Sequence, residues 1–130
     1  MKGLNKIIWS PSQMEKFSTA DDLRISPFYS DGKTYGTPTW IWSVVVDNRL
    51  YVRAWNGTNS RWYRSAIQQK AGRIHLAGSN FEIGFIKVDQ EWLNAKIDEA
   101  YRRKYTGSAY LEPMLQPGPR SSTLNIILRN

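Results

Sequence analysis

Cysteine is absent from this chain, and histidine occurs once, as His75. Without cysteine there can be no disulfide framework, thiol nucleophile or thiolate-bound zinc. A single imidazole excludes a histidine-rich metal site, and the strand setting of His75 predicts a structural or surface role. Long apolar runs are missing too. The patch Ile7-Ile8-Trp9 is too short for a signal-peptide core, and no later run approaches a membrane span. A soluble, cytoplasmic protein with no membrane partner is the expectation. No internal repeat, low-complexity tract, Ser-His-Asp arrangement, phosphate loop or metal-ligand motif occurs.

What is present is aromatic and basic. The chain has 130 residues, enough for one domain that folds without metal or disulfides. Its net charge of +7 admits nucleic acid, an anionic surface or a phosphorylated small molecule as partner. The one tight cluster, Arg102-Arg103-Lys104, ends a predicted helix, where the helix dipole alone accounts for it. Six tryptophans and seven tyrosines either fill a core or wall a flat ligand.

The first 35 residues read as a helical arm. Ser10-Pro11 caps one short helix, and Thr19-x-x-Asp22 resembles the start of a second that Pro27 stops. Residues 36–88 form the centre: two hairpins with a short helix between them. From Trp40 to Val46 both faces are largely apolar, which predicts one doubly covered strand. Asp47-Asn48 makes the turn, and Arg49 to Trp55 returns with Arg49, Tyr51, Arg53 and Trp55 on one face. After a loop from Asn56 to Ser60, a helix is predicted over Arg61 to Gln69. Arg73 to Leu76 and Phe81 to Val88 form the second hairpin, turning near Gly78-Ser79-Asn80.

Asp89 is read as the cap of a helix over 89–105, with a Leu93, Ile97, Ala100/Tyr101 and Tyr105 stripe. Asp98–Arg102 and Glu99–Arg103 are expected as i,i+4 ion pairs. Gly107 to Ser122, with three prolines, reads as loop, and 123–129 as a closing strand. Hairpins with intervening helices define a single α+β domain, with strands enough to close a small barrel.

Several runs carry a family resemblance. They are G-K-x-x-G-x-P-T-x-x-x-x-x-V from Gly32, L-Y-V-R-A-W-N-G from Leu50, W-Y-R-S-A-I from Trp62 and G-R-I from Gly72. Together they resemble the split β-barrel superfamily of flavin- and deazaflavin-binding proteins, which includes pyridoxamine-phosphate-oxidase-like proteins. The tail D-E-A-Y-R-R-K-Y and the closing S-S-T-L-N-I-I-L-R narrow the likeness to a bacterial family, domain of unknown function 2255. The resemblance implies a split β-barrel of antiparallel hairpins with flanking helices, a homodimer, and an FMN or deazaflavin site. The matching positions are Lys33, Thr39, Arg53, Trp55, Asn56, Trp62, Arg64 and Ser65, with Ala54 among them. Two positions depart from the pattern: Lys33 is followed by Thr34 and Tyr35 rather than further cations, and Trp55 stands where a small residue is common.

The chemistry of those residues suits the role. The forked guanidinium donors of Arg53 and Arg64 match a phosphate, and Ser65 or Thr39 can add a hydroxyl. The start of the short helix would add N–H groups. Trp40 and Trp42 are assigned to the core, while Trp55 and Trp62 are open between core and ring contact. The function expected is binding of a flavin-like or other phosphorylated cofactor; an enzyme of this kind would be a flavin- or deazaflavin-dependent oxidoreductase, with no catalytic side chain named. The alternatives are a cofactor-free barrel that binds a small apolar ligand or a protein, and, less favoured, a nucleic-acid binder using the Arg49-to-Trp55 face.

Overall fold

The first helix starts where its sequence signals place it. Ser10 Oγ accepts the N–H of Gln13 at 3.1 Å, and Gln13 Oε1 accepts the N–H of Ser10 at 2.7 Å. Pro11 opens helix α1 (Pro11–Thr19) at a position that needs no hydrogen-bond donor. The computed structural model describes residues 8–129; the beginning of the arm, including Ile7, lies outside the described residues. Met14 and Phe17 of α1 are buried, and Trp9 joins them by donating its indole N–H to the Ile126 carbonyl at 3.0 Å. The arm thus covers an interior built from later strands.

The second helix expected in the arm does not form. Leu23, Arg24 and Ile25 alternate buried, exposed and buried where a strand begins, β1 (Arg24–Pro27), and its remaining residues, Ser26 and Pro27, are buried as well. Asp22, read from sequence as a helix signal, accepts the N–H of Ala77 at 2.8 Å and of Gly78 at 3.1 Å instead.

The apolar run after Pro38 also differs from expectation. It is two strands, β2 (Thr39–Trp40) and β3 (Ser43–Val46), with Ile41 and Trp42 between them. There follow β4 (Arg49–Val52), helix α2 (Arg61–Gln69), β5 (Ala71–Leu76), β6 (Ser79–Lys87) and β7 (Leu124–Leu128). The seven strands form one sheet in the order β2-β1-β5-β6-β7-β4-β3, antiparallel throughout. Its edge strands, β2 and β3, are separated in the chain only by Ile41 and Trp42, so the sheet must curl until its edges approach. The closing strand β7 lies between β6 and β4 and ties the two hairpins together.

Both hairpins turn on consecutive positive φ angles, as a mirror-image two-residue turn requires. Asp47 and Asn48 (φ 51° and 63°) make the first, as expected. The second falls at Ala77-Gly78 (φ 52° and 79°), one residue ahead of the predicted Gly78-Ser79-Asn80 but sharing Gly78 with it. His75 lies beside it, its Nδ1 2.9 Å from Asn80 Oδ1 and its Nε2 3.6 Å from Asp22.

Two apolar layers result. Inside the curl, Leu50, Val52, Ile74, Ile83, Phe85 and Ile126 meet α1 and the Tyr63 and Ala66 side of α2. Outside it, Val44, Val46 and Tyr51 are covered by helix α3 (Glu91–Lys104) through Ile97, Ala100 and Tyr101. The predicted stripe of α3 is therefore correct. Its cap is not: Gln90, without a side-chain bond, stands there in place of Asp89. Nor do the predicted ion pairs form, since Asp98 turns inward to Arg53 and Arg120, and Glu99 pairs with Arg102 one residue nearer.

The proline-rich stretch holds two single helical turns, α4 (Leu111–Met114) and α5 (Pro117–Arg120). Proline needs no N–H partner in a first turn, so it marks helix starts here as well as loop. Trp40, assigned to the core, is 60% exposed, because β2 is an edge strand.

Candidate functional site

Arg53, one of the two arginines expected to hold phosphate, is fully buried. Its Nε donates to Thr123 Oγ1 at 2.9 Å. Nη1 donates to Asp98 Oδ1 at 2.6 Å and the Met114 carbonyl at 3.3 Å. Nη2 donates to the carbonyl and the Oδ1 of Asn94, at 3.2 and 3.0 Å. A guanidinium has five N–H groups, and all five are engaged. None is left for a phosphate. Arg53 is instead the bolt between β4, α3 and the chain leading into β7. Arg120 closes the network from outside, donating to Asp98 and to both oxygens of Glu91. With Tyr51 and Arg53 both buried beneath α3, the strand from Arg49 presents no open face of alternating basic and aromatic residues.

Three other candidates do come together. Thr39, Trp62 and Ser65 line one cleft of about 450 Å³ with Pro27, Tyr29, Gly36, Thr37 and Arg61. The local sequence explains why. Because α2 buries Tyr63 and Ala66, Trp62 and Ser65 are left half-buried at its flank and Arg61 exposed at its first position. Ser60, the residue before α2, makes no side-chain cap bond to the first-turn N–H groups. Gly36 lets the opposite wall approach: a Cβ there would lie 2.8 Å from the Pro27 carbonyl oxygen. The Tyr29 hydroxyl lies 3.1 Å from Thr37 Oγ1 and accepts the Thr37 N–H at 3.2 Å. These hydrogen bonds from Thr37 hold the phenol below its ordinary pKa, and the charge of Arg61 adds to the effect.

The remaining candidates lie elsewhere. Lys33 sits in an exposed turn where Asp31 Oδ1 accepts its backbone N–H at 2.9 Å. Arg64 is exposed and donates to the Asn59 carbonyl at 3.0 Å. Asn56 is exposed ahead of a 3₁₀ turn at Gly57–Asn59. Trp55 lines a second, smaller groove of about 240 Å³ with Trp40, Ile41, Trp42, Arg53, Tyr110 and Met114. Trp55 and Trp62 therefore border different depressions. Thr39 and Trp40, neighbours on β2, face one each.

Arg61, Tyr29 and Thr37 escaped the sequence reading. Arg61 could have been found, since the predicted helix boundary already put it at the first helical position beside Ser65. Nothing local pointed to Tyr110.

The curled antiparallel sheet with packed helices makes this an α+β protein. Residues 13–126 match the family model described as "Uncharacterized protein conserved in bacteria (DUF2255)", and the chain belongs to that family. It is also similar in fold to the crystal structure of conserved hypothetical protein Rv2991 from Mycobacterium tuberculosis. That likeness has a TM-score of 0.64 at 14% identity and covers 97% of this chain and 84% of that one. No curated protein matches the chain. Among the described residues, no helix is long and apolar enough to cross a membrane.

Proposed function

We propose that the chain is a split β-barrel that binds a flavin-like or other phosphorylated cofactor in the cleft between β2 and α2. One observation carries this: Arg61, Thr37, Thr39, Ser65 and Trp62 line a single opening. That donor set fits a phosphate, which takes a guanidinium fork and hydroxyl donors. The uncapped start of α2 adds N–H groups of the right polarity. Among the described residues, no carboxylate lines the cleft to repel an anion. Its volume of about 450 Å³ falls in the range of small-molecule sites. Compared with the assignment from sequence, the phosphate role passes from Arg53 and Arg64 to Arg61 and stays with Ser65, and of Trp55 and Trp62 only Trp62 keeps the ring.

A bound flavin would supply hydride transfer, and the chain would hold and orient it, which makes a flavin- or deazaflavin-dependent oxidoreductase the enzyme class proposed. Titration with FMN, FAD and a deazaflavin tests this. The expected result is a visible absorbance band and a rise in Tm that grows with ligand concentration, both weakened by Arg61→Gln and kept by Arg64→Gln. No response to any of the three at saturation would end the proposal.

The homodimer implied by the resemblance belongs to the same proposal. Ile86 and Ile127 lie half-exposed on the outer face of β6 and β7, beside Gly84, and that is the face we assign to it. Ile86→Asp would then give a monomer by sedimentation.

A further inference from the structure

We infer that the groove bordered by Trp40, Trp42, Trp55 and Tyr110 is a binding site for an uncharged, planar aromatic molecule of one or two fused rings. It is separate from the cofactor cleft and stands without it.

Three of its rings are among the most exposed large apolar side chains of the molecule: Trp40 at 60%, Trp55 at 49% and Tyr110 at 63%. Scattered exposure of single apolar residues is ordinary; a ring of them around one concavity marks a binding surface. These rings are also held in place. Trp40 donates its indole N–H to the Asp21 carbonyl at 2.8 Å. Trp55 and Tyr110 meet edge to face with centroids 5.6 Å apart. Trp42 stacks on Tyr105 at 3.9 Å, nearly parallel. The Tyr105 hydroxyl in turn accepts the Ser43 N–H at 3.2 Å and donates to Asp21 Oδ1 at 3.0 Å. A surface fixed in advance loses little entropy when a ligand settles on it.

Charge narrows the class of ligand. Among the described residues, Arg53 is the one charged residue lining the groove, and its N–H groups are all used within the protein. An anion would therefore find no free cationic donor there, only neutral N–H and O–H groups. Indole faces attract cations, but among the described residues no carboxylate lines the groove, and the chain carries +7. The remaining walls, Ile41 and Met114, are apolar. Size narrows it further. A cavity of about 150 Å³ holds benzene, and drug-sized ligands take about 300 Å³ or more; 240 Å³ falls between. A flat ring would gain edge and offset contacts with the indoles.

The test uses the 130-residue chain with 2-naphthol as probe, following the indole N–H signals of its tryptophans by NMR. The expected result is a saturable shift at Trp40, Trp42 and Trp55, with Trp62 and Trp92 unmoved. Trp55→Ala and Tyr110→Ala should each weaken binding roughly tenfold and keep Tm, since both side chains are about half exposed or more. Naphthoate and a trimethylammonium-bearing naphthalene should bind more weakly than the neutral probe. Absence of saturation, equal shifts at Trp62 and Trp92, or preference for a charged analogue would each overturn the proposal. So would self-association of the chain that Trp55→Ala abolishes, which would make a second copy the occupant. A failure of FMN to bind leaves these readouts untouched, because Trp62 reports on the other cleft.

Discussion

Arg53 and Asp98 meet at 2.6 Å across the junction of β4 and α3, the arginine fully buried and the aspartate 17% exposed. Removing one member of such a pair leaves a charge in the interior without its partner. Asp98→Ala should therefore cost about 3–5 kcal/mol in a denaturant melt. Asp98→Asn, which keeps an acceptor, should cost less. Arg53→Lys should also destabilise, because an ammonium cannot replace a fork that serves Thr123, Asp98, Met114 and Asn94 together. Unchanged melts for both Asp98→Ala and Arg53→Lys would show that the network contributes nothing.

Lys104 has the opposite difficulty, a charge held under cover. Its ammonium donates to the carbonyls of Phe17, Ala20 and Ser43 at 3.3, 2.6 and 2.7 Å, and burial pulls its pKa from 10.5 down to about 8 against the pull of Asp21 and Asp22. Between those two values the unfolded chain binds more protons than the folded one. Stability from this group therefore rises as pH increases from about 8 to 10.5. Thermal melts across that window should show the rise, and Lys104→Met should flatten it. A wild-type profile no steeper than the variant's would contradict the expectation.

At Gly72, opposite Pro27, β1 and β5 press close together. A Cβ there would lie 2.5 Å from the Ser26 carbonyl oxygen and 2.6 Å from Pro27 Cα, both backbone atoms that cannot swing aside. Gly72→Ala should cost about 3 kcal/mol by chemical denaturation. A near-neutral result would mean that the two strands can part without loss.

Ala77 offers a gain. It holds φ 52°, a left-handed conformation that costs a residue with a Cβ about 1–2 kcal/mol. Ala77→Gly removes that strain and keeps the N–H that Asp22 accepts. The variant should melt higher, with a gain of about 0.5–1 kcal/mol after the loss of one half-buried methyl. A lower Tm would show that the methyl contributes more than the strain costs.

Local signals in the sequence were informative about local structure. Arg61–Gln69 was bounded correctly, and the Leu93-to-Tyr105 stripe and the Asp47-Asn48 turn were found because spacing and turn chemistry act within a few residues. β1 was misread because its strand character comes from pairing with β5, some fifty residues on, which a cap-like Thr19-x-x-Asp22 does not reveal. Arg53 was misassigned for the same reason. Its side-chain partners Asn94, Asp98 and Thr123 follow 41, 45 and 70 residues later, so nothing near it announced that its donors were taken. Thr39, Trp62 and Ser65 were named through the family pattern among eight positions, without a sign that these three would share a cleft, and the groove depends on Tyr110, from a stretch that read only as loop.

The short link through Ile41 and Trp42 has a protective consequence. An exposed sheet edge is a template on which a foreign strand can add and seed aggregation. Here the two edges are β2, of two residues, and β3, and one continuous piece of backbone fastens them to each other. A protease nick between Ile41 and Trp42 would unfasten both edges at once, so a single cut there should raise the chain's tendency to aggregate.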